Sequence, residues 1–169
     1  MKGAALALAL AAPVALGGFA GNASRATAAG PAFQPDVFFA GETVGTGSLK
    51  IVGRARVVTY VEGTGRTLPD GTFQLRQRVT EGDKRPRTRT WRLTPQGDGR
   101  WTGTLSDAAS PVEAQVRGNL FHVRYDGGDV GVEQWLTLQP DGRTVLNTLV
   151  GRKLGVTVGR LEETIRKVG

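Results

Sequence analysis

The sequence predicts an all-β chain folded as a single antiparallel up-and-down barrel of about ten strands, and three observations carry the prediction. Short apolar or alternating runs recur roughly every 10 to 15 residues, each bounded by Gly, Pro or Asp, and no segment keeps a convincing helical period. The bounding residues have turn chemistry: Pro69-Asp70-Gly71 and Pro140-Asp141-Gly142 each order a pre-set φ, an Asx acceptor and a residue tolerant of positive φ. Finally, 169 residues with 39% hydrophobic and 22% charged content suit one packed domain and exclude a disordered chain.

An irregular lead over 30–35 precedes the strands. Strands are expected at roughly 43–51, 55–62, 72–80, 87–94, 100–105, 112–117, 119–126, 131–138, 143–150 and 157–167. Pro95 to Gly99, Gly118-Asn119 and Asp126-Gly127-Gly128-Asp129 supply further strand connections. In the last segment Leu161, Glu163 and Ile165 alternate with Glu162, Thr164 and Arg166, which reads as a closing strand. Closure is the economical arrangement for ten sequential strands because it pairs both edges; a two-sheet sandwich is the alternative.

Alternation assigns faces. Phe73, Leu75, Gln77 and Val79 share the inward side of their strand. In the next strand Trp91 and Leu93 belong inside, so Arg89 is aimed at the interior or its mouth, where a guanidinium needs a carboxylate, carbonyls or a bound anion. Arg89 and Trp91, with Trp101, Tyr125 and Trp135, are the expected lumen or mouth residues. The competing reading has Arg89 satisfied internally by Glu133 or Glu113. Arg76, Arg78, Lys84, Arg85 and Arg87 form an expected basic surface patch on one hairpin, able to meet an anionic lipid surface or simply to keep an edge solvated.

Composition removes several chemistries. Without Cys there is no disulfide, thiol nucleophile or thiolate metal site, and a single His forms no cluster, so neither a metal nor a cofactor is expected. His122 alternates with Leu120 and Arg124 and is expected on the outer face or at the mouth. No Gly-x-Ser-x-Gly elbow accompanies it, so a triad with Asp126 and Ser106 or Ser110 is not expected. Glu162-Glu163 and Asp126 with Asp129 read as solvated carboxylates, and the Gly-x-Gly repeats at 45–47 and 63–65 open no phosphate-binding helix.

Residues 1–28 combine Lys2, an apolar stretch from Ala4 to Leu16 and a closing Ala26-Thr27-Ala28, the pattern of a cleaved secretory signal that leaves a domain over 29–169. The apolar run is too short to span a bilayer, so no transmembrane span is expected after cleavage. Loss of Lys2 and Arg25, with no acid, leaves 20 basic and 15 acidic residues, a net charge of +5 against +7 for the whole chain. An exported protein of this charge is expected to meet acidic envelope components and no nucleic acid.

The ordered set Phe38-Phe39-Ala40-Gly41, Arg89-Thr90-Trp91, Gly99-Arg100-Trp101-Thr102-Gly103, Gly118-Asn119, Tyr125, Trp135-Leu136, Leu146-Asn147, Lys153-Leu154-Gly155-Val156 and Gly159 resembles the bacterial envelope family known as domain of unknown function 3833. The resemblance covers about residues 37–168 and implies a lipocalin-like fold and an envelope location, with no activity assigned. Many of its members look like lipoproteins, whereas this chain lacks the lipidated cysteine; Gln134 and Thr148 also stand where the family tends to have an acid and an Arg. The expected function is therefore a periplasmic, non-catalytic lipocalin-like protein that binds a small apolar or anionic amphiphilic ligand, or acts as an envelope accessory factor. The alternatives are a barrel-pocket isomerase or hydrolase using His122 or a carboxylate, and a structural barrel filled by its own side chains.

Overall fold

The computed structural model describes residues 30–169; the expected signal segment, 1–28, lies outside the described residues. A short helix, α1 (Pro35–Phe38), leads into ten strands: β1 (Gly41–Ile51), β2 (Val57–Thr67), β3 (Phe73–Glu81), β4 (Arg87–Pro95), β5 (Arg100–Leu105), β6 (Val112–Arg117), β7 (Leu120–Asp126), β8 (Gly131–Leu138), β9 (Thr144–Lys153) and β10 (Val156–Val168). Each strand pairs antiparallel with its sequence neighbour, and β10 returns to β1 from Glu42↔Val168 to Ile51↔Gly159, which closes the barrel. The up-and-down barrel expected from the sequence is the observed fold, with the final segment as its closing strand.

The turns form as their chemistry dictates. Asp70 Oδ1 accepts the Thr72 N–H at 2.9 Å, and Asp141 Oδ1 accepts from Arg143 and Thr144, both at 2.9 Å. The β9–β10 reversal places Leu154 and Gly155 at φ 50° and 79°, the geometry of a two-residue hairpin loop.

The lead over 30–35 is not wholly irregular, because it runs into α1. Pro35 opens that single turn, which is too short to leave a periodic signal in the sequence. What holds it is tertiary contact: the Phe33 N–H donates to Gly118 O at 2.8 Å, and Lys167 Nζ donates to Val37 O and Phe38 O at 3.0 and 3.1 Å. Phe33 stacks on Phe121 with ring centroids 5.5 Å apart, and Phe38 meets Phe39 edge-on at 4.9 Å. This aromatic cap closes the barrel end that carries the loops over 68–72, 96–99, 118–119 and 139–143. The opposite end carries the loops over 52–56, 82–86, 106–111, 127–130 and 154–155 and is packed by Leu105, Val112, Val130, Val132 and Val158, all buried.

Candidate functional site

The barrel interior is two materials in one space. Toward the cap it is apolar, with Phe73, Leu75, Leu93, Phe121, Val123, Leu136 and Ile165 buried. Across its middle runs a polar layer of Thr43, Thr59, Gln77, Gln134, Asn147 and Glu163, all buried, and Arg89 reaches the same space. Strand register explains the layer, since Glu81, Thr59, Gly47, Glu163 and Asn147 are successive lateral neighbours across β3, β2, β1, β10 and β9. Glu163 fits there because β1 is bare beside it. A Cβ on Gly45 would lie 2.3 Å from Glu163 Oε1, and one on Gly47 2.9 Å from Glu163 Cβ.

Arg89 is inward, as alternation predicts. Its Nε donates to Gln77 Oε1 at 2.9 Å, the Trp91 indole N–H donates to the same oxygen at 2.8 Å, and the guanidinium carbon lies 5.5 Å from the Trp91 ring centroid. Tyr125 meets Trp91 edge-on at 5.6 Å, and burial pushes its phenol up. Arg89 is thus fixed by a carboxamide and two aromatic rings. Glu133 and Glu113, the expected carboxylate partners, instead face outward: Glu133 pairs with Arg152 at 2.6 Å, and Glu113 with Arg124 at 3.6 Å.

Glu163, expected to be solvated, is 8% exposed and turned into the lumen. Its Oε2 accepts from Asn147 Nδ2 at 2.9 Å, while its Oε1 has no protein partner; the same holds for Gln134 Oε1, Asn147 Oδ1 and Thr59 Oγ1. Burial raises the Glu163 carboxyl above its usual value, against the opposing pull of the Asn147 bond and the Arg89 charge. The lumen thus gathers a carboxyl, carboxamides and a guanidinium around a cavity of about 40 Å3. That is room for about three water molecules.

Of the aromatic residues expected at the lumen, Trp91 lines the cavity, whereas Trp101 is buried in the core beyond its lining. Trp135 does not face the lumen. In β8 the inward positions are Val132, Gln134, Leu136 and Leu138, so Trp135 falls on the outer face, stacked on His122 at 5.2 Å with an 11° interplanar angle. His122 Nε2 lies 3.5 Å from Glu133 Oε1, and burial under this stack, partly offset by the Glu133 carboxylate, lowers its pKa. The serines weighed as nucleophiles are held by backbone: Ser106 Oγ accepts the Thr90 N–H, and Ser110 Oγ accepts the Asp126 N–H. A wider open hollow of about 540 Å3 lies outside the lumen, bordered by Glu113, Arg124, Glu133 and Arg152, whose charges are mutually paired.

The expected basic patch also loses a member. Arg87 shares the inward face with Arg89 and forms a latch at the end away from the cap, donating to Glu81 Oε1 at 3.0 Å and Asp107 Oδ2 at 2.7 Å, with Lys84 on the other Glu81 oxygen at 2.9 Å. Burial tends to raise the Glu81 carboxyl, but its bonds to Lys84 and Arg87 outweigh this and hold it below its usual value. Arg78 pairs with Glu62 at 3.3 Å and stays exposed, as does Lys84, so Arg76, Arg78, Lys84 and Arg85 remain on the surface. Among the described residues no three His, Asp or Glu side chains gather as a metal site, and no helix is long and apolar enough to cross a membrane.

The lumen can be compared with known proteins through the fold that shapes it. The S-type phycobiliprotein lyase of Guillardia theta superposes with a TM-score of 0.62 at 7% identity, over 77% of this chain and 88% of that one. A protein of unknown function from the DUF3598 family of Nostoc punctiforme superposes at 0.61 with 16% identity, over 82% of this chain and 50% of that one, so this chain spans about half of its length. At these identities the likeness is one of fold, a closed antiparallel barrel. No curated protein sequence matches. The family model described as a protein of unknown function, DUF3833, matches residues 14–167, nearly the whole chain, and the chain belongs to that family.

Proposed function

We propose that this protein is a non-catalytic binding module that takes a small amphiphilic molecule into the barrel, with the polar end of the ligand seated on the buried layer around Arg89 and Glu163. The observation that supports this most strongly is the set of buried side-chain oxygens in the layer without protein partners, since a buried polar atom left unpaired costs about 1–3 kcal/mol. A barrel selected only for stability would place apolar side chains there. Export to the periplasm belongs to the same proposal and is supported by the leader pattern of residues 1–28. The small cavity favours a second reading, a structural barrel filled by its own side chains, because ligand sites usually measure about 300 Å3 or more.

Native mass spectrometry of the full-length gene product, purified gently from its own host, separates the two. Binding predicts a stoichiometric mass increment that disappears on denaturation and is reduced in Arg89→Ala. A clean apo mass, unmoved by added fatty acids or phospholipids, would leave the filled barrel as the account.

A further inference from the structure

The lumen also restricts what kind of polar group it can hold, an inference that rests on the binding reading above. Gln134 and Glu163 both line the cavity, are 6% and 8% exposed, and each directs one side-chain oxygen that meets no protein donor. Asn147 and Thr59, flanking Glu163 on either side in the strand register, carry further oxygens in the same condition. Arg89 on the opposing wall spends its Nε–H on Gln77 and a further N–H on the Tyr125 hydroxyl, and a guanidinium's five donors leave others over at the cavity lining. A ligand therefore meets acceptors on one side and a donor on the other.

Charge narrows the class. An anionic head, which Arg89 alone would favour, enters beside the Glu163 carboxyl and a set of oxygen acceptors. A cationic head enters beside a guanidinium. Either leaves a buried like-charge contact or forces a partner to give up its charge. A neutral group with N–H donors and a carbonyl acceptor meets neither obstacle. We propose that the lumen selects a carboxamide- or urea-like group, its N–H edge on Glu163 Oε1 and Gln134 Oε1 and its carbonyl toward Arg89. The raised Glu163 carboxyl is compatible with this, because such a group offers a donor to the carboxylate and an acceptor to the acid. The cavity, with room for about three waters, matches the three-atom head of such a group alone.

The test uses the three indole N–H resonances of the 15N-labelled full chain. Trp91 reports from the lumen wall through its bond to Gln77, whereas Trp101 in the core and Trp135 on the outer face serve as controls. Propionamide, propionate and butylammonium are titrated as equal-sized neutral, anionic and cationic probes. The expected result is a saturable shift of Trp91 with propionamide alone, weakened about ten-fold in both Gln134→Leu and Glu163→Leu. Undisturbed Trp101 and Trp135 resonances would certify that each variant is folded, and either variant suffices if the other fails to fold. Preferential binding of propionate or butylammonium, or propionamide binding that ignores both substitutions, would overturn the inference while leaving a lumen-binding protein. Silence of Trp91 toward all three probes would also overturn it, and the mass of the native protein would then decide the binding reading separately.

Discussion

Gln77 is the residue on which the geometry of the lumen turns, and Gln77→Leu is the perturbation that measures it. One oxygen, Gln77 Oε1, accepts both the Arg89 Nε–H and the Trp91 indole N–H. Leucine would strand both donors. A stranded buried donor costs about 1–3 kcal/mol, with charged groups at the upper end. Water can relieve part of the Arg89 share because that side chain is only half-buried. Against this, leucine contributes roughly 1 kcal/mol of added apolar burial. The net loss expected is about 2–4 kcal/mol, which for a domain of this size lowers Tm by roughly 6–12 °C. Urea unfolding followed by Trp fluorescence reads it directly, with the slope unchanged if only the native state is affected. Gln77→Glu keeps the acceptor and faces a guanidinium, so it should lose less than half as much. A leucine variant within about 1 kcal/mol of the parent would refute the claim that this carboxamide anchors Arg89 and Trp91.

The remaining expectations follow from the same layer and from the outer face. Gly45→Ala should destabilise the barrel by about 1–3 kcal/mol through its clash with Glu163 Oε1, and Glu163→Ala in the same chain should recover most of that loss in a double-mutant cycle; additive losses would contradict the packing described. Because burial raises the Glu163 carboxyl, its contribution is full below the usual glutamate value of 4.5 and is lost as pH rises through the folded value. The stability of the parent relative to Glu163→Gln should therefore fall as pH is taken upward from below 4.5, and a rise in urea-unfolding series would reverse the sign of the argument. Trp135→Ala uncovers His122 and should raise its depressed pKa toward the ordinary 6.5 in an NMR titration, since desolvation is the leading cause of the depression; an unmoved value would assign the effect elsewhere.

Much of the architecture was legible because a strand writes its faces into the sequence with period two. The ten strands, the turn residues and the inward set Phe73, Leu75, Gln77 and Val79 are recovered in the barrel, although β2 runs on through Gly63 and Gly65 to Thr67, past the expected end at 62. Where the sequence reading fails, it preferred residue type to alternation. Trp135 is large and aromatic, but its neighbours Gln134 and Leu136 are the inward pair, and the same rule that placed Arg89 inside places Trp135 outside. Glu163 alternates with Leu161 and Ile165 in plain view, yet a carboxylate in an apolar row reads as solvated until the glycines at 45 and 47 are known to lie beside it. That adjacency joins residues more than a hundred positions apart, and only barrel closure creates it. The Arg87 latch hides for a similar reason, since its partner Asp107 comes from a loop whose path no local pattern specifies.

A crystal structure of the protein isolated from its own host, solved without added ligand, tests the central claim most directly. The account predicts density for a small organic molecule between Trp91, Gln134 and Glu163, in hydrogen-bond contact with the carboxyl and carboxamide oxygens there. A lumen closed by its own side chains, or one holding only water, would contradict it.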